Sequence, residues 1–400
     1  MGIRVAVIDD NPHLAWDGRV YPANATFHRF LAAVLDVTGA DGRPLVDRID
    51  QCVPLRPASE APRTLPLDPR LNVVGTAPFD GIAGYLRHAP SLARRNAATL
   101  RPVIGAADLV WLKVPASNAP LAAALARIAG VPRFGYVAGS AADVVAGQRR
   151  GGLARIGAEI VGRAYDGLGR LSSIGGDRVV VGRRLAGGGI VTSLVEAAEI
   201  RSIRNRVWPH QAGHLHLAWA GRLVDGKGVE RLLGALAIMA AAPARGAGGI
   251  RLTMIGDGPA RPSLEAHAAK LGVADRVEWC GFMADRGPYL DALAAADVFV
   301  FPSPAEGFPK VVLDAMAAGL PVLATPSGAR AEAIAAGAVA RLPSDGAGIA
   351  ATIDLLVADP DRALVLRRAG TELVTAHTRS AEAARLVDRW QERWPDLPWG

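Results

Sequence analysis

Residues 297–325, DVFVFPSPAEGFPKVVLDAMAAGLPVLAT, contain a strand, a turn and a helix in direct succession. Val298 to Phe301 are strand-forming residues, and the prolines that follow them end the strand. Pro309 lies where a helix can begin, because proline is tolerated at the first helical position. A second short apolar run, 321–324, follows the helix. This order indicates two parallel strands that are joined by a crossover helix.

The same alternation extends along the whole chain, and it predicts the fold class. Short apolar runs separated by helix-period segments are typical of parallel strands that helices cover on both faces. We therefore expect an α/β protein with two Rossmann-like, doubly wound parallel sheets. The runs lie at 3–8, 71–75, 108–112, 132–137 and 177–181, and then at 215–220, 250–255, 276–280, 297–301, 321–324 and 338–342.

Length and rhythm together predict two domains. A chain of 400 residues exceeds one ordinary hydrophobic core. Residues 196–213, which include Pro209 and Gly213, interrupt the alternation. The segment 54–70 contains five prolines and is expected to be an irregular surface loop. The expected parts are a first domain at 1–195, a linker at 196–213, a second domain at 214–378, and a C-terminal helix and tail at 379–400 that pack back on the first domain.

Composition narrows the class of protein. The net charge is +7, and the basic residues are 41 arginines and four lysines. The lysines are Lys113, Lys227, Lys270 and Lys310. The arginine excess is interpreted as a composition bias, and the alternative is a basic surface that attracts phosphates, nucleic acid or acidic lipid. We expect no nucleic-acid partner. Cys52 and Cys280 lack the spacing of a metal or disulfide framework, and no apolar run reaches the roughly 18 residues of a membrane span. We therefore expect a cytoplasmic protein.

The junction that follows strand 297–301 combines charge and hydrogen-bond acceptors. Amides at the start of the next helix, in residues 310–312, favour a phosphate, and the ammonium of Lys310 adds a full charge. Gly307 allows a close backbone approach, and Glu306 suits sugar hydroxyls because a carboxylate only accepts hydrogen bonds. Asp314 lies one helical turn beyond Lys310. An alternative is that Glu306 caps the helix and that Lys310 and Asp314 form a surface ion pair.

A second motif favours the phosphate interpretation. The sequence GRLVDGKGVE, at 221–230, follows the strand 215–220 and precedes a helix that starts near Val229. Arg222 and Lys227 flank its glycine-rich turn. Two cations on a tight turn at the carboxyl end of a strand suit a diphosphate leaving group, since arginine binds it bidentately and lysine acts as a point charge.

A third loop, IGDGP at 255–259, ends another strand of the second half. Gly256 and Gly258 resemble half of a dinucleotide fingerprint, but Arg261 stands where the third glycine is expected. The loop is therefore a weak Rossmann signature, and an ordinary turn is the alternative interpretation.

Taken together, these motifs resemble a known family. GRLVDGKG, IGDGP, DRVEWCGFM and ADVFVFPSPAEGFPKVVLDAMAAGLPVLATPSGARAE occur in this order and spacing. They are similar to the donor-binding domain of the family-4 retaining glycosyltransferases, which have the GT-B fold. The resemblance is strong over about 215–335 and is limited to the strand and helix rhythm in the first half. It implies an acceptor-binding first domain, a donor-binding second domain and a cleft between them.

The resemblance implies roles for individual residues. Arg222 and Lys227 would hold the donor diphosphate and stabilise its charge, and Glu306 would bind hydroxyls of the transferred sugar. These three are the predicted catalytic residues. Phe282 and Met283 would border the nucleotide base. The predicted donor-binding residues are Gly18, Gly221, Gly256, Asp257, Phe282, Met283, Gly307, Phe308, Pro309, Lys310, Val311 and Asp314.

The chain also departs from the family pattern. Asp314 stands where the family has a glutamate for the ribose hydroxyls, and Ala329 replaces a common glycine. The first loop, DDNPHLAWDGRVYPANATFHRF at 9–30, has only Gly18 where the family often has a glycine pair. It is expected to face the donor phosphates. Lys113 stands where the family often has a histidine, and an alternative is that it is a strand-end residue in solvent.

The prediction is therefore a retaining glycosyltransferase that moves a sugar of the hexose type from a nucleotide diphospho-sugar, such as a UDP- or GDP-sugar, to an acceptor hydroxyl or amine. No obligatory metal is expected, because His210, His214 and His216 have no carboxylate or cysteine near them in sequence. A lipid acceptor would bring peripheral membrane contact. The alternatives are a nucleotide-sugar epimerase, a nicotinamide-dependent oxidoreductase and a degenerate binding protein without activity.

Overall fold

A computed structural model gives the structure of most of the chain, in two compact units. It describes residues 2–22, 25–62, 64, 66–79, 84–85, 87–114, 116–137, 163, 167, 176–181, 189–191, 193–201, 208, 214–242, 249–304, 309–327 and 329–399. Unit 1 comprises Met1–Val181, Gly188–Thr192 and Arg379–Gly400, and unit 2 comprises Gly182–Gly187 and Ser193–Thr378. The domain boundaries predicted from the sequence remain a proposal.

Strands and helices alternate through both units. The strands are β1 (Ile3–Ile8), β2 (His13–Trp16), β3 (Arg19–Pro22), β4 (Val46–Pro57), β5 (Asn72–Thr76), β6 (Leu109–Val114), β7 (Arg133–Val137), β8 (Asp177–Val180), β9 (Leu215–Ala220), β10 (Ile250–Ile255), β11 (Val277–Gly281), β12 (Val298–Phe301), β13 (Val322–Ala324) and β14 (Ala340–Arg341). The helices are α1 (Ala25–Leu35), α2 (Ala89–Gly105), α3 (Ala119–Ala129), α4 (Val229–Ala240), α5 (Arg261–Lys270), α6 (Arg286–Ala294), α7 (Lys310–Ala317), α8 (Ala329–Ala335), α9 (Gly346–Val357), α10 (Pro360–Ala376) and α11 (Arg379–Arg393).

Unit 1 is a sheet with helices on both faces. Its strand order is β3-β2-β4-β1-β6-β7-β8, with β5 paired to β4. Successive side chains of a strand point to opposite faces, so β1 contributes to two cores. Val5 and Val7 pack with α1 and with the fully buried Trp390 of α11, whereas Ala6 and Ile8 pack with α2 and α3. The C-terminal helix α11 therefore packs on the core of unit 1.

Unit 2 contains a six-stranded parallel sheet in the order β11-β10-β9-β12-β13-β14. The chain runs outward from β9 through β10 to β11, and then returns to place β12 on the other side of β9. Doubly wound sheets bind ligands at the carboxyl ends of the strands where the order reverses. In unit 2 that point lies between β9 and β12, which are the two strands that precede the cation-bearing motifs.

Two segments of unit 1 differ from the expectation of loops. Within 9–30 the chain forms an antiparallel hairpin of β2 and β3, in which Asp17 and Gly18 both have positive φ angles, 47° and 67°. An Asp-Gly pair with such angles matches the twist of a tight hairpin. The segment 54–70 is also less irregular than expected, because β4 continues through Pro54 to Pro57. Among the described residues, no helix is long and apolar enough to cross a membrane.

Candidate functional site

The candidate site lies where the strand order of unit 2 reverses. The turn 221–228 follows β9, and Pro302 follows β12. Gly228 caps the start of α4 with a φ of 74°, and a Cβ at this position would lie 2.5 Å from the carbonyl oxygen of Pro302. Glycine is therefore needed for the turn to pack closely against the end of β12. The two motifs predicted from sequence meet at one edge of the sheet.

The loop after β10 packs against the same turn through its backbone. Gly256 has a φ of 139°, and a Cβ there would lie 1.9 Å from the carbonyl oxygen of Gly221. The amide of Leu223 donates to the carbonyl oxygen of Asp257 over 3.0 Å, and the amide of Ala260 donates to the carbonyl oxygen of Leu223 over 3.0 Å. Gly256 thus allows the loop 255–259 to pack closely against the turn 221–228. This packing supports the interpretation of the loop as an ordinary turn.

Arg222 and Lys227 give the turn its positive charge. Arg222 is exposed and Lys227 is half-buried. Burial lowers the pKa of Lys227, and the charges of Arg330 and Arg222 lower it further because the three cations are near one another. Such a concentration of positive charge at a strand end attracts an anion, and a diphosphate would relieve the mutual repulsion of the cations.

Helix α7 begins close to its predicted position after β12. Pro309 is the capping residue and Lys310 is the first helical residue, one position later than expected. The amide of Val312 donates to the carbonyl oxygen of Pro309 over 3.0 Å, so the expectation of an open amide at residue 312 is wrong. Lys310 and Val311 are half-buried at this helix start. Three predicted site residues, Glu306, Gly307 and Phe308, lie outside the described residues.

Asp314 is buried on the second turn of α7, with 3% of its surface exposed. Its Oδ1 accepts a hydrogen bond from Arg286 Nη2 over 2.8 Å, and its Oδ2 accepts one from the hydroxyl of Tyr289 over 3.1 Å. Burial raises the pKa of Asp314, and Arg286 opposes that rise. The alternative of a surface ion pair between Lys310 and Asp314 is therefore wrong, because the carboxylate is buried and its partner is Arg286.

Arg286 connects this carboxylate to a second one. Its Nε donates to Glu199 Oε1 over 2.6 Å, so the guanidinium lies between Glu199 and Asp314. Glu199 ends the short 3-10 helix Ala197–Glu199, and its Oε2 accepts from the amide of Glu196 over 2.9 Å. The result is a chain of charged hydrogen bonds along one side of the site, which fixes the position of the guanidinium.

Phe282 and Met283 lie at the end of β11, next to the start of α6. The side chain of Phe282 is 73% exposed, and Met283 is half-buried. A large aromatic ring in solvent at a ligand-binding edge of a sheet offers a face on which a planar base can stack. Because Arg286 is the first residue of α6, this ring and the Arg286–Asp314 pair lie at the same end of the site.

Arg330 is a component of the site that the sequence analysis did not identify. It is fully buried at the start of α8, and its Nη1 donates to the carbonyl oxygen of Ser303 over 2.9 Å and to Thr325 Oγ1 over 3.3 Å. Burial lowers the pKa of Arg330 to about 10. The guanidinium therefore fixes the positions of Ser303 and Thr325, which follow β12 and β13. Its positive charge also acts on Lys227.

Arg286, Tyr289 and Glu199 were also missing from the predicted set. A signal for Arg286 was present, because an arginine directly follows the strand end and loop 281–285 at the ligand-binding edge. No local pattern identifies Glu199, since it lies far from Asp314 in sequence. Among the predicted residues described by the structure, Gly221, Arg222, Lys227, Gly256, Asp257, Phe282, Met283, Pro309, Lys310, Val311 and Asp314 follow the carboxyl ends of neighbouring strands of unit 2.

Unit 1 holds the remaining predicted residues. Gly18 is exposed at the tip of the β2–β3 hairpin, between Asp17 and Arg19. Lys113 Nζ forms a 2.8 Å ion pair with Asp9 Oδ1, and its side chain is only 14% exposed. The alternative of a strand-end lysine in solvent is therefore wrong. Because β1 and β6 are the neighbours at which the strand order of unit 1 reverses, this ion pair lies at the ligand-binding edge of that sheet.

Two buried histidines pack beside this ion pair. The rings of His13 and His28 meet edge to face with centroids 4.7 Å apart. His13 Nδ1 lies 2.8 Å from the carbonyl oxygen of Asn11, and His28 Nδ1 lies 3.0 Å from Gln51 Oε1. Burial lowers the pKa of both imidazoles, that of His28 to about 4. Both rings are therefore neutral at pH 7.

This pair predicts that the protein loses stability in mild acid. The unfolded chain takes up a proton on His28 near pH 6.5, whereas the folded chain resists protonation down to about pH 4. Stability is therefore complete above pH 6.5 and is lost as the pH falls toward 4. We expect His28 to account for about 2 to 3 kcal/mol of unfolding free energy lost between pH 7 and 4.5. Denaturant unfolding at pH 7 and at pH 4.5 measures this loss of unfolding free energy.

The variant His28→Gln is the control for this prediction. Its unfolding free energy should fall less between pH 7 and 4.5 than that of the unaltered protein, because the titrating ring is gone. Equal falls in the two proteins would show that His28 does not carry the pH dependence.

His216 belongs to the group of histidines that the sequence analysis considered as metal ligands. His216 Nδ1 lies 2.8 Å from the carbonyl oxygen of Ala295, and Nε2 lies 2.8 Å from Thr253 Oγ1, so both ring nitrogens are engaged. His210 lies outside the described residues. Within the described part of the chain, no group of three or more His, Cys, Asp and Glu side chains could hold a metal ion.

Part of unit 2 matches a known protein family. Residues 214–359 match the family model described as Glycosyl transferases group 1. The chain is 37% identical over 179 residues to the GDP-mannose-dependent alpha-(1-6)-phosphatidylinositol monomannoside mannosyltransferase of Mycobacterium tuberculosis. This alignment covers 42% of the chain and 45% of the relative. It is 30% identical over 199 residues to the 2-deoxystreptamine glucosyltransferase of Streptomyces kanamyceticus, in an alignment that covers 49% of the chain and 50% of that relative. The chain thus spans about half the length of the curated relatives it matches, or less.

Solved structures resemble the chain over its full length. It is similar to Anabaena Alr3699/HepE in complex with UDP, with a TM-score of 0.63 and 15% identity, over 98% of this chain and 100% of that one. It is also similar to the lipopolysaccharide glycosyltransferase WaaG, with a TM-score of 0.61 and 17% identity, over 99% of this chain and 100% of that one. These likenesses confirm the fold class, and with the family match they confirm the resemblance to GT-B glycosyltransferases. Membership of family 4 stays a prediction.

Proposed function

We propose that the protein is a retaining glycosyltransferase that moves a hexose-type sugar from a nucleotide diphospho-sugar to an acceptor hydroxyl or amine. The observation that carries this proposal is the positively charged turn 221–228, at the strand where the order of unit 2 reverses. Arg222 and Lys227 lie on this turn, within the residues that match the glycosyltransferase family model. A diphosphate is the ligand that this combination of charge and position suits best.

The proposed donor site runs along the carboxyl edge of unit 2. Arg222 and Lys227 hold the diphosphate, helix α7 directs its first amides at the same group, and Glu306 accepts from hydroxyls of the sugar. Phe282 lies at the base, and Asp314 lies at the ribose end of the site, where it accepts a hydrogen bond from Arg286. The other proposed donor-binding residues of unit 2 are Gly221, Gly256, Asp257, Met283, Gly307, Phe308, Pro309, Lys310 and Val311. Gly18 of unit 1 is a separate proposal for donor binding.

The chemistry follows from the charge that develops during transfer. The bond between the anomeric carbon and the diphosphate oxygen breaks, which leaves oxocarbenium character on the sugar and negative charge on the diphosphate. Arg222 and Lys227 stabilise that negative charge electrostatically. The acceptor oxygen or nitrogen bonds to the anomeric carbon from the face that the diphosphate leaves, and its proton passes to a phosphate oxygen. Because the protein meets the charge with its own cations, we propose no obligatory metal.

The relatives narrow the choice of donor and acceptor to be tested. One is GDP-mannose-dependent and acts on a phosphatidylinositol monomannoside, another is a 2-deoxystreptamine glucosyltransferase, and the HepE structure holds UDP. UDP- and GDP-sugars are therefore the first donors to examine, with lipid, saccharide and aminocyclitol acceptors. We place the reaction in the cytoplasm, with contact at a membrane surface if the acceptor is a lipid.

A thermal-shift screen of UDP-, GDP-, ADP- and dTDP-sugars tests the proposal. At about 100 times its dissociation constant, a bound donor stabilises the folded protein by about 2.7 kcal/mol, so one nucleotide class should raise the melting temperature clearly. A melting temperature that none of the four classes changes would contradict the proposal.

A turnover assay with the stabilising donor separates transfer from its alternatives. A transferase releases nucleoside diphosphate faster when an acceptor is added. Conversion of the donor into a rearranged nucleotide sugar without acceptor would instead identify an epimerase, and a change in nicotinamide absorbance would identify an oxidoreductase.

A further inference from the structure

The buried state of Asp314 raises the question of how it can act on a ribose. Its side chain is 4% exposed, and each of its carboxylate oxygens accepts a hydrogen bond from within the protein. Aspartate is one methylene shorter than the glutamate of the family pattern, so its carboxylate stays closer to the helix. Because the side chain is almost entirely buried, a ligand hydroxyl has little access to the remaining lone pairs of the carboxylate.

Arg286 is better placed to touch a ligand. Two of its nitrogens are engaged, Nε with Glu199 over 2.6 Å and Nη2 with Asp314 over 2.8 Å. Among the residues that the structure describes, Nη1 has no hydrogen-bond partner, and the side chain keeps 14% of its surface exposed. A guanidinium carries five N–H donors in a rigid fork, so fixing two nitrogens also fixes the direction of the third.

The position of Arg286 in the fold points to the nucleoside end of the donor site. It begins α6 directly after the loop that carries the exposed Phe282, at the carboxyl edge of the sheet. Tyr289 lies one turn further along α6, on the same face, and donates to Asp314 as well. The guanidinium of Arg286 is therefore held by Glu199 and Asp314, and Asp314 is itself held by Tyr289. This group lies at the end of the site where the base and ribose are proposed to bind.

We propose that Arg286, and not Asp314, contacts the ribose of the donor, with Nη1 donating a hydrogen bond to a ribose hydroxyl oxygen. Asp314 and Glu199 are positioning residues that orient the guanidinium. This inference rests on the proposed function, because it needs a nucleoside diphosphate in the site. It implies that the chain replaces an accepting carboxylate by a donating guanidinium at the ribose, while the buried charge of Asp314 stays paired.

The test measures how strongly the protein distinguishes ribose from deoxyribose. UDP and GDP are titrated against the full chain, and the tighter of the two is compared with its 2′-deoxy and 3′-deoxy forms by calorimetry. Loss of a hydrogen bond to a charged donor should weaken binding of one deoxy form by about tenfold or more. In Arg286→Gln this discrimination should fall to about twofold or less, because the donor to the missing hydroxyl is gone.

Two further variants make the result specific. Arg251→Gln removes an arginine at the opposite end of β10, where Arg251 contacts His216, and it should leave the discrimination unchanged. Arg286→Gln leaves the carboxylate of Asp314 buried without its cation, which destabilises the fold. The double variant Arg286→Gln/Asp314→Asn removes the buried charge of Asp314 together with its cation and leaves only the partly exposed carboxylate of Glu199, so it should fold and should also lack the discrimination.

The outcomes separate this inference from the proposed function. Discrimination that disappears in both Arg286 variants and persists in Arg251→Gln supports a direct contact from Arg286. Discrimination that persists in Arg286→Gln and in the double variant overturns the inference, while the nucleotide binding itself still supports the proposed function. A protein that binds no nucleoside diphosphate of the four donor classes contradicts both.

Discussion

Arg222→Ala and Lys227→Ala are each expected to lower turnover by at least about a hundredfold, with a smaller effect on donor binding. Both cations lie on the turn that follows β9, and removal of one group that stabilises developing negative charge typically costs a factor of about 100 to 1,000 in turnover. Lys227 is half-buried and close to two arginines, so its charge acts in a region with little water to screen it. Steady-state kinetics with the donor found by thermal shift measure the effect.

Matched variants show whether such a loss is specific to the site. Lys270→Ala and Arg251→Ala remove exposed cations of the same unit that lie outside the proposed site. Both should keep turnover within about twofold of the unaltered protein, because exposed surface substitutions away from a site have small effects. Near-normal turnover in Arg222→Ala and Lys227→Ala would remove the proposed mechanism, and equal losses in all four variants would assign the effect to net charge.

Gly256→Ala is expected to destabilise unit 2 by about 2 to 6 kcal/mol. The φ angle of Gly256, 139°, lies in a region that residues with a side chain rarely adopt, and such strain costs on the order of 1 to 3 kcal/mol. The new Cβ would also lie 1.9 Å from the carbonyl oxygen of Gly221, which forces apart two loops that share backbone hydrogen bonds. Backbone shifts of this kind typically cost a further 1 to 3 kcal/mol. Denaturant unfolding monitored by circular dichroism gives the free energy.

Gly272→Ala is the control for this substitution. Gly272 has a φ of 70°, and a Cβ at this position would meet no atom of the described residues within 4 Å, so only the left-handed backbone costs energy there. We expect about 1 to 2 kcal/mol for this variant. If Gly256→Ala costs no more than Gly272→Ala, the close approach of the two loops does not matter for stability.

The sequence was sufficient to predict those parts of the site that depend on local order. Arg222, Lys227 and Lys310 lie in the turn or the helix start that follows an apolar run, so their positions near the carboxyl ends of strands could be predicted before the fold was known. The strand order of unit 2 then brings these ends together. Asp314 could be placed on α7, but its partner could not, since Arg286 reaches it only through the packing of α6 on α7.

The missed elements have identifiable physical causes. Strand β4 contains Asp47, Arg48 and Asp50, so it lacks the continuous apolar run by which the other parallel strands were found. Strands β2 and β3 are short, although Asp17 and Gly18 are a hairpin signal that sequence reasoning could have used. The buried Arg330 was unexpected because a charged side chain in a core is identified by its partners, here the carbonyl oxygen of Ser303 and the hydroxyl of Thr325.

A crystal structure of the protein with its tightest nucleoside diphosphate will show whether the turn after β9 binds the diphosphate. We expect the diphosphate oxygens to lie within about 3.2 Å of the side-chain nitrogens of Arg222 and Lys227, at the ends of β9 and β12. A nucleotide bound elsewhere, or one whose diphosphate contacts neither of these side chains, would contradict it.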